Sequence, residues 1–219
     1  MALLPGGGYA EKVAVDIRCT LHRPSQLTQP QAASFVETYL TAYLNLFLLG
    51  EIHAGQTALI HGGGGGVGTA AINLCKLAGV ETIVTAGSDK KTAACKNLGA
   101  THAINYKTTD FASSIFQLTN QLGVPVVLDC IGASYLQQNL NCLSLDGKIF
   151  LIGLMGGAKT ELNLGQLLSR RIQMIGSTLR SLPVDRKATI IRKFLGQFGQ
   201  QLIEGQLKPE IFKIVELPN

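Results

Sequence analysis

Residues 60–71 read IHGGGGGVGTAA. Five consecutive glycines ordinarily mark slack chain, because glycine loses more conformational freedom on ordering than any other residue. Here the run is bracketed by order. Ala58, Leu59, Ile60 and His61 form a short apolar stretch ahead of it. Behind it Val67, Ala70, Ala71, Leu74, Leu77 and Ala78 recur at i, i+3, i+4, i+7, and Gly79 closes the pattern. Strand, glycines and helix in that order admit few folds. Gly63, Gly65 and Gly68 satisfy G-x-G-x-x-G, and Gly62, Gly65 and Gly68 satisfy the related G-x-x-G-x-x-G spacing. In such a context one glycine permits the tight turn, the next lets a pyrophosphate approach the backbone, and the third lets helix and strand pack closely. Amides at the helix start then face the phosphates. A mere linker would leave the strand and the helix joined without reason.

From residue 57 onward short β-rich runs alternate with amphipathic segments. Candidate strands fall at 58–61, 82–85, 102–105, 124–130, 148–153 and 172–177, and each intervening stretch has helical spacing or enough length for a crossover. The expected fold is therefore α/β, a doubly wound parallel six-stranded sheet of the Rossmann type. Ahead of it, Thr28-Gln29-Pro30-Gln31 is a capping-box pattern with proline in the first turn. Apolar residues follow at Phe35, Val36, Tyr39, Leu40, Tyr43, Leu44 and Phe47, which predicts a helix ending at Gly50. Residues 9–15 alternate like an edge strand. Residues 185–204 read as a helix, and 212–217 as a last strand stopped by Pro218.

The bulk numbers restrict function. Of 219 residues 46% are hydrophobic and 15% charged, a globular composition without a disordered tail. The net charge of +5, from 19 Lys and Arg against 14 Asp and Glu, is scattered along the chain, which argues against nucleic acid as a partner. Cys19, Cys75, Cys95, Cys130 and Cys142 are odd in number and form no C-x-x-C pair. Reduced thiols of a cytoplasmic protein fit that spacing, and a zinc site finds no support in it. The first sixteen residues lack a signal-like apolar core, and 39–50 is too short and polar to span a bilayer, so a soluble protein without a membrane partner is expected.

Which dinucleotide is bound turns on the tip of the second strand. A site for NAD usually carries an Asp or Glu about 20 residues after the glycines, accepting from the ribose 2′-hydroxyl. This strand ends Val84-Thr85-Ala86-Gly87-Ser88-Asp89-Lys90-Lys91, with no acid at its tip. Ser88 and Lys91 suit a 2′-phosphate, with Asp89 capping the next helix. The alternative is that 89–91 is only a solvated first turn.

Several motifs in order resemble one family. His61-Gly62 through Gly68, then Thr85-Ala86-Gly87-Ser88 with Lys91, Ile104-Asn105-Tyr106, Leu128-Asp129-Cys130-Ile131-Gly132, Gly153-Leu154-Met155-Gly156-Gly157 and Gly176-Ser177-Thr178-Leu179-Arg180 resemble the zinc-free, zeta-crystallin-like quinone oxidoreductases of the medium-chain dehydrogenase/reductase superfamily. Within that group the likeness is to the animal, tumour-suppressor-inducible branch, and it runs from Gly6 to about Arg180, with a short echo at 213–218. The resemblance implies NADPH as reductant, a small-molecule quinone or related electrophilic carbonyl as acceptor, and a homodimer. By position it implies that Gly65, Gly66 and Val67 meet the pyrophosphate and that Ser88, Lys91 and Tyr106 meet the 2′-phosphate. Cys130 and Ile131 line the cofactor, and Thr41, Leu154 and Met155 lie near the nicotinamide.

No side chain is implied as a catalytic acid or base, because hydride transfer to a quinone depends mainly on positioning. Cys130 reads as a small buried hydrophobe, His61 as a residue that settles a strand end, and Asp129 as a partner for nearby backbone. Against the family pattern, residues 1–27 correspond to a remnant of the GroES-like substrate domain, 28–204 to the dinucleotide-binding domain with its leading helix, and 205–219 to a short closing strand. A cofactor-binding module without a complete substrate pocket is therefore the alternative to a reductase.

Overall fold

The structure is a computed structural model that describes residues 1–216. Six strands form one parallel sheet: β1 Thr57–His61, β2 Glu81–Ala86, β3 His102–Asn105, β4 Val124–Asp129, β5 Leu143–Leu151 and β6 Gln173–Gly176. Their spatial order is β3-β2-β1-β4-β5-β6. Helices α1 Gln29–Tyr43, α2 Gly66–Leu77, α3 Asp89–Leu98, α4 Phe111–Leu118, α5 Leu136–Cys142, α6 Leu164–Arg170 and α7 Val184–Ile203 flank it. This is the expected doubly wound α/β fold, and strand order reverses between β1 and β4.

A parallel sheet covered on both faces needs strands that are apolar throughout, and β1 is buried over its last four residues. Because side chains alternate across a strand, the register sorts them into two layers. Ile60, Val84, Leu128 and Phe150 join the core beneath α1, α2 and α7, whereas Leu59, Ile83, Val127 and Ile149 join the core beneath α4 and α5. The strands pair in step, with Leu59 opposite Ile83 and Val127.

The capping box forms as read: Thr28 N donates to Gln31 Oε1 (3.0 Å), and Thr28 Oγ1 accepts from the Gln31 amide. Past Tyr43 the helix widens to π geometry over Leu44–Leu49 and stops at Gly50. The whole segment Gln29–Leu49 is 21 residues long and apolar enough to cross a bilayer, where the membrane argument from sequence weighed only 39–50, yet 67% of its apolar window is buried inside the fold. Its aromatic stripe explains the burial. Phe35 stacks on Tyr39 with centroids 4.2 Å apart, and Tyr43 and Phe47 meet Phe194 and Phe198 of α7 edge-on. Each such fully buried side chain contributes roughly 1.5–3 kcal/mol.

Two expected strands do not form. Residues 9–15 carry no ladder; the one β contact of the leading segment is an isolated antiparallel bridge between Ala2 and Thr20, and Tyr9 is 92% exposed. Alternation alone does not make a strand when no neighbouring edge accepts its hydrogen bonds. Residues 212–216 are likewise irregular and Phe212 is fully exposed, while Leu217 and Pro218 lie outside the described residues. The leading segment is nonetheless part of the core: Leu3, Cys19, Leu21 and Leu27 are buried, and Arg18 pairs with Asp185 at the start of α7.

Candidate functional site

A cleft of about 500 Å³ opens at the carboxyl ends of β1 and β4, where the strand order reverses. Its floor is the glycine run. Gly62 takes φ +68°, a left-handed conformation that suits glycine, and its carbonyl accepts from Gly65 N (2.9 Å) to close the turn. A Cβ on Gly68 would run into the Gly62 carbonyl oxygen and come within 2.7 Å of Gly63 Cα, so the helix approaches the turn as closely as backbone allows. Gly65 is the N-cap of α2 and supplies no side-chain acceptor. The first amides of α2, from Gly66 to Gly68, thus point outward without an intrahelical partner, at the positive end of a 12-residue helix. Gly65, Val67 and Gly68 line the cleft, and Gly66 is exposed between them.

The second wall comes from the tip of β2. Thr85, Ala86 and Gly87 line it, and Tyr106 packs so close to Gly87 that a Cβ there would sit 2.7 Å from its hydroxyl. The stem of Lys91 passes over Gly64, and among the described lining residues Lys91 is the cation and none is acidic. Ser88, and not Asp89, caps α3: its hydroxyl accepts from Lys91 N (3.3 Å). Asp89 accepts instead from Asn105 Nδ2 (2.7 Å). Ser88 thus stands beside the cleft rather than in its lining, with its hydroxyl proton still free to donate.

The third wall is the turn after β4. Cys130, Ile131 and Met155 line it together with Leu128, Ile152 and Gly153. Asp129, fully buried, accepts from Ile131 N (2.6 Å) and Gly132 N (3.2 Å) and so shapes that turn, the role expected for it. Leu154, between the lining residues Gly153 and Met155, lines a neighbouring apolar hollow with Leu136, Leu151 and Leu162. Thr41 is buried in α1, donates to Glu37 Oε1 (3.0 Å) and is not among the lining residues. The α1 residue that meets the start of α2 is Thr38, whose methyl would lie 3.0 Å from a Cβ on Gly66.

Burial sets the protonation of two of the lining groups, Cys130 and His61. Burial pushes the Cys130 thiol up, aided by the Asp129 carboxylate. Burial also lowers His61, which is fully committed to Thr85 and Asn139, and it pushes Tyr135 behind it up to about 12. Sequence reasoning missed Asn139 because it lies on α5, far from His61 in the chain. Thr85 was within reach, since it pairs with His61 in the β1–β2 register.

The family model described as "Zinc-binding dehydrogenase" matches residues 66–195, more than half of the chain. The synaptic vesicle membrane protein VAT-1 homolog of Homo sapiens is 35% identical over 165 residues, 74% of this chain and 42% of that protein. The Escherichia coli quinone oxidoreductase solved in complex with NADPH is similar at 26% identity with a TM-score of 0.74, covering 85% of this chain and 58% of that one. The CurK enoyl reductase is similar at 30% identity and a TM-score of 0.77, with 91% and 59% covered. The chain thus spans between two and three fifths of the length of these relatives. The family's description names zinc, but among the described residues no three His, Cys, Asp or Glu side chains gather as a zinc site requires. These residues do not fit that metal.

Proposed function

The chain belongs to the zinc-binding dehydrogenase family, and from that premise we propose that it is an NADPH-dependent oxidoreductase whose acceptor is a quinone or a related electrophilic carbonyl compound. The observation that carries the reading is the pairing of unpartnered amides at the start of α2 with Lys91 in a cleft whose described lining lacks acids. The amides suit a pyrophosphate, and Lys91 with Ser88 and Tyr106 suits the extra 2′-phosphate that separates NADPH from NADH. The complex of the Escherichia coli relative with NADPH supports the same cofactor.

The bound cofactor supplies the hydride, and the protein's own work is placement. The Gly65–Val67 backbone would hold the phosphates, the Cys130–Ile131 turn and Met155 would bound the far end, and Leu128 and Ile152 would give the floor between them an apolar lining. Protons for the reduced acceptor come from solvent, because burial makes the Cys130 thiol a weaker acid and both ring nitrogens of His61 are engaged by Thr85 and Asn139. We place the protein in the cytoplasm on its five free cysteines, and as a homodimer on the family resemblance.

A second reading, a cofactor-binding module without turnover, is favoured by the Met155 side chain, 75% exposed at the end where an acceptor would be enclosed. One calorimetric titration separates the two. NADPH should bind at least about ten-fold more tightly than NADH, a difference of about 1.4 kcal/mol. Oxidation of bound NADPH on adding a quinone identifies a reductase, binding without oxidation identifies the module, and equal affinity for NADH removes the assignment of Lys91.

A further inference from the structure

His61 closes β1 immediately before the glycine turn and is only 3% exposed. Nδ1 lies 2.9 Å from Thr85 Oγ1 on β2, and Nε2 lies 2.7 Å from Asn139 Oδ1 on α5. Asn139, itself 0% exposed, places Nδ2 3.1 Å from Asp129 Oδ2. Asp129 in turn receives the Ile131 and Gly132 amides. Four side chains from β1, β2, β4 and α5 thereby run from one turn of the cleft to the other.

The direction of every bond is fixed by its last member. A carboxylate only accepts, so Asn139 presents its NH₂ to Asp129 and its carbonyl oxygen to His61. His61 must then carry its proton on Nε2, and Nδ1 must accept from the Thr85 hydroxyl. Phe111 and Tyr135 pack edge-on against the ring, with centroids 5.0 and 4.9 Å away. Each donor in this chain has one acceptor, and a buried partner left alone would be costly.

We infer that Asn139 and His61 are positioning residues of the cofactor cleft: together they lock the Ile131–Gly132 turn against the glycine turn, and NADPH binding depends on that lock. The inference rests on the reading of the cleft as an NADPH site. It separates from plain structural support because a charge can be introduced without a change of volume. Asn139→Asp sets a carboxylate against Asp129, and two carboxylates in contact retain the geometry only if a proton is shared. The other titratable groups around His61 are Cys130 on the turn after β4, its sulfur 3.6 Å from the His61 carbonyl oxygen, Tyr135 against its ring, and Tyr106 beyond Tyr135, with Lys91 across the cleft.

The experiment measures the NADPH Kd of the wild-type chain and of Asn139→Asp from about pH 6 to about pH 9, together with the thermal midpoint of each. Taking the ratio of the two Kd values at each pH cancels the titration of the cofactor's own phosphate. If the lock is needed for binding, the variant binds in its protonated form, and the ratio rises with pH by up to about ten-fold per unit through the pair's titration. A ratio near one throughout, with only the midpoint falling, overturns the inference and leaves the chain of bonds a stability element. No NADPH binding by the wild-type chain would instead overturn the functional reading beneath it. Should Asn139→Asp fail to fold, Thr85→Val removes the donor to Nδ1 at nearly constant shape, and Thr85→Ser restores it. Weakened NADPH affinity in the first and recovery in the second, with the His61 ring nitrogens followed by NMR, supports the inference; equal affinity in both overturns it.

Discussion

The turn after β1 is built from contiguous residues, 62–68, whereas the turn after β4 is held by a second loop, 153–157. In the first, the groups facing the cleft are backbone amides at a helix start, and their placement follows from local glycine chemistry. In the second, two distant stretches hold each other. Met155 N donates to Cys130 O (3.2 Å), Gly156 N to Ile131 O (2.7 Å), Ala133 N to Gly157 O (3.0 Å) and Ser134 N to Gly156 O (3.2 Å). The lesson concerns failure: damage to the first half should abolish ligand contact with little effect on the fold, and damage to the second should loosen the fold first.

Gly65→Val is the severest test of that contrast. A Cβ at Gly65 meets only the Gly62 carbonyl oxygen at 3.3 Å, so the chain should fold while the larger side chain occupies the phosphate position. A loss of NADPH affinity of about 100-fold or more, near 2.7 kcal/mol, is expected by titration. Unchanged affinity would sink the assignment of the turn.

Gly156→Ala should show the opposite pattern. Its Cβ would run into Ser134 Oγ, lie 2.6 Å from Ile131 Cγ2 and press on the Ile131 carbonyl oxygen at 3.2 Å, so side chains or loops must shift. Overpacking of this kind costs about 1–3 kcal/mol, which calorimetry should read as a fall in the melting midpoint of roughly 2–4 °C per kcal/mol. Affinity should fall less than in Gly65→Val, and an unshifted midpoint would mean that the loops are not mutually supporting.

His61 joins the halves, and acid should expose it. Burial lowers its folded-state pKa below the ordinary 6.5, so the unfolded chain binds the additional proton. Its contribution to stability is therefore present above about pH 6.5 and is lost as pH falls toward the folded value, by at most about 1.4 kcal/mol per unit. Denaturant unfolding of His61→Gln should lack that component; an identical acid profile would remove His61 from the account.

The smallest effect belongs to Lys91→Met. A solvated cation on a phosphate is worth about 1 kcal/mol, so NADPH should bind about five-fold more weakly while NADH is unaffected. Equal losses for both would move Lys91 from the 2′-phosphate to the pyrophosphate.

The same contrast explains what could be read in advance. The glycine turn, the capping box at Thr28 and the six strands were legible because each is specified by neighbours in sequence or by a period. The strand expected at 9–15 rested on alternation, and that at 212–217 on its apolar run before Pro218 and on resemblance, and neither signal says whether a partner edge exists. Thr41 and Leu154 were placed by resemblance; Thr41 donates to Glu37, and Leu154 lines the neighbouring hollow. Cys130, Ile131 and Met155 did come together, but the hydrogen bonds that hold them, and the bridge from His61 to Asn139, span distances in the chain over which no local pattern reports.

Cys130 carries one more consequence. Quinones and unsaturated carbonyl compounds alkylate thiolates, so an enzyme that handles them faces suicide by its own substrate wherever a thiolate lines the path. The cleft does contain a cysteine, yet burial and the adjacent Asp129 keep its sulfur protonated, and it leans on the His61 carbonyl oxygen at 3.6 Å. On the proposed function, the desolvation that shapes the cofactor wall also immunises the protein against the electrophile it reduces.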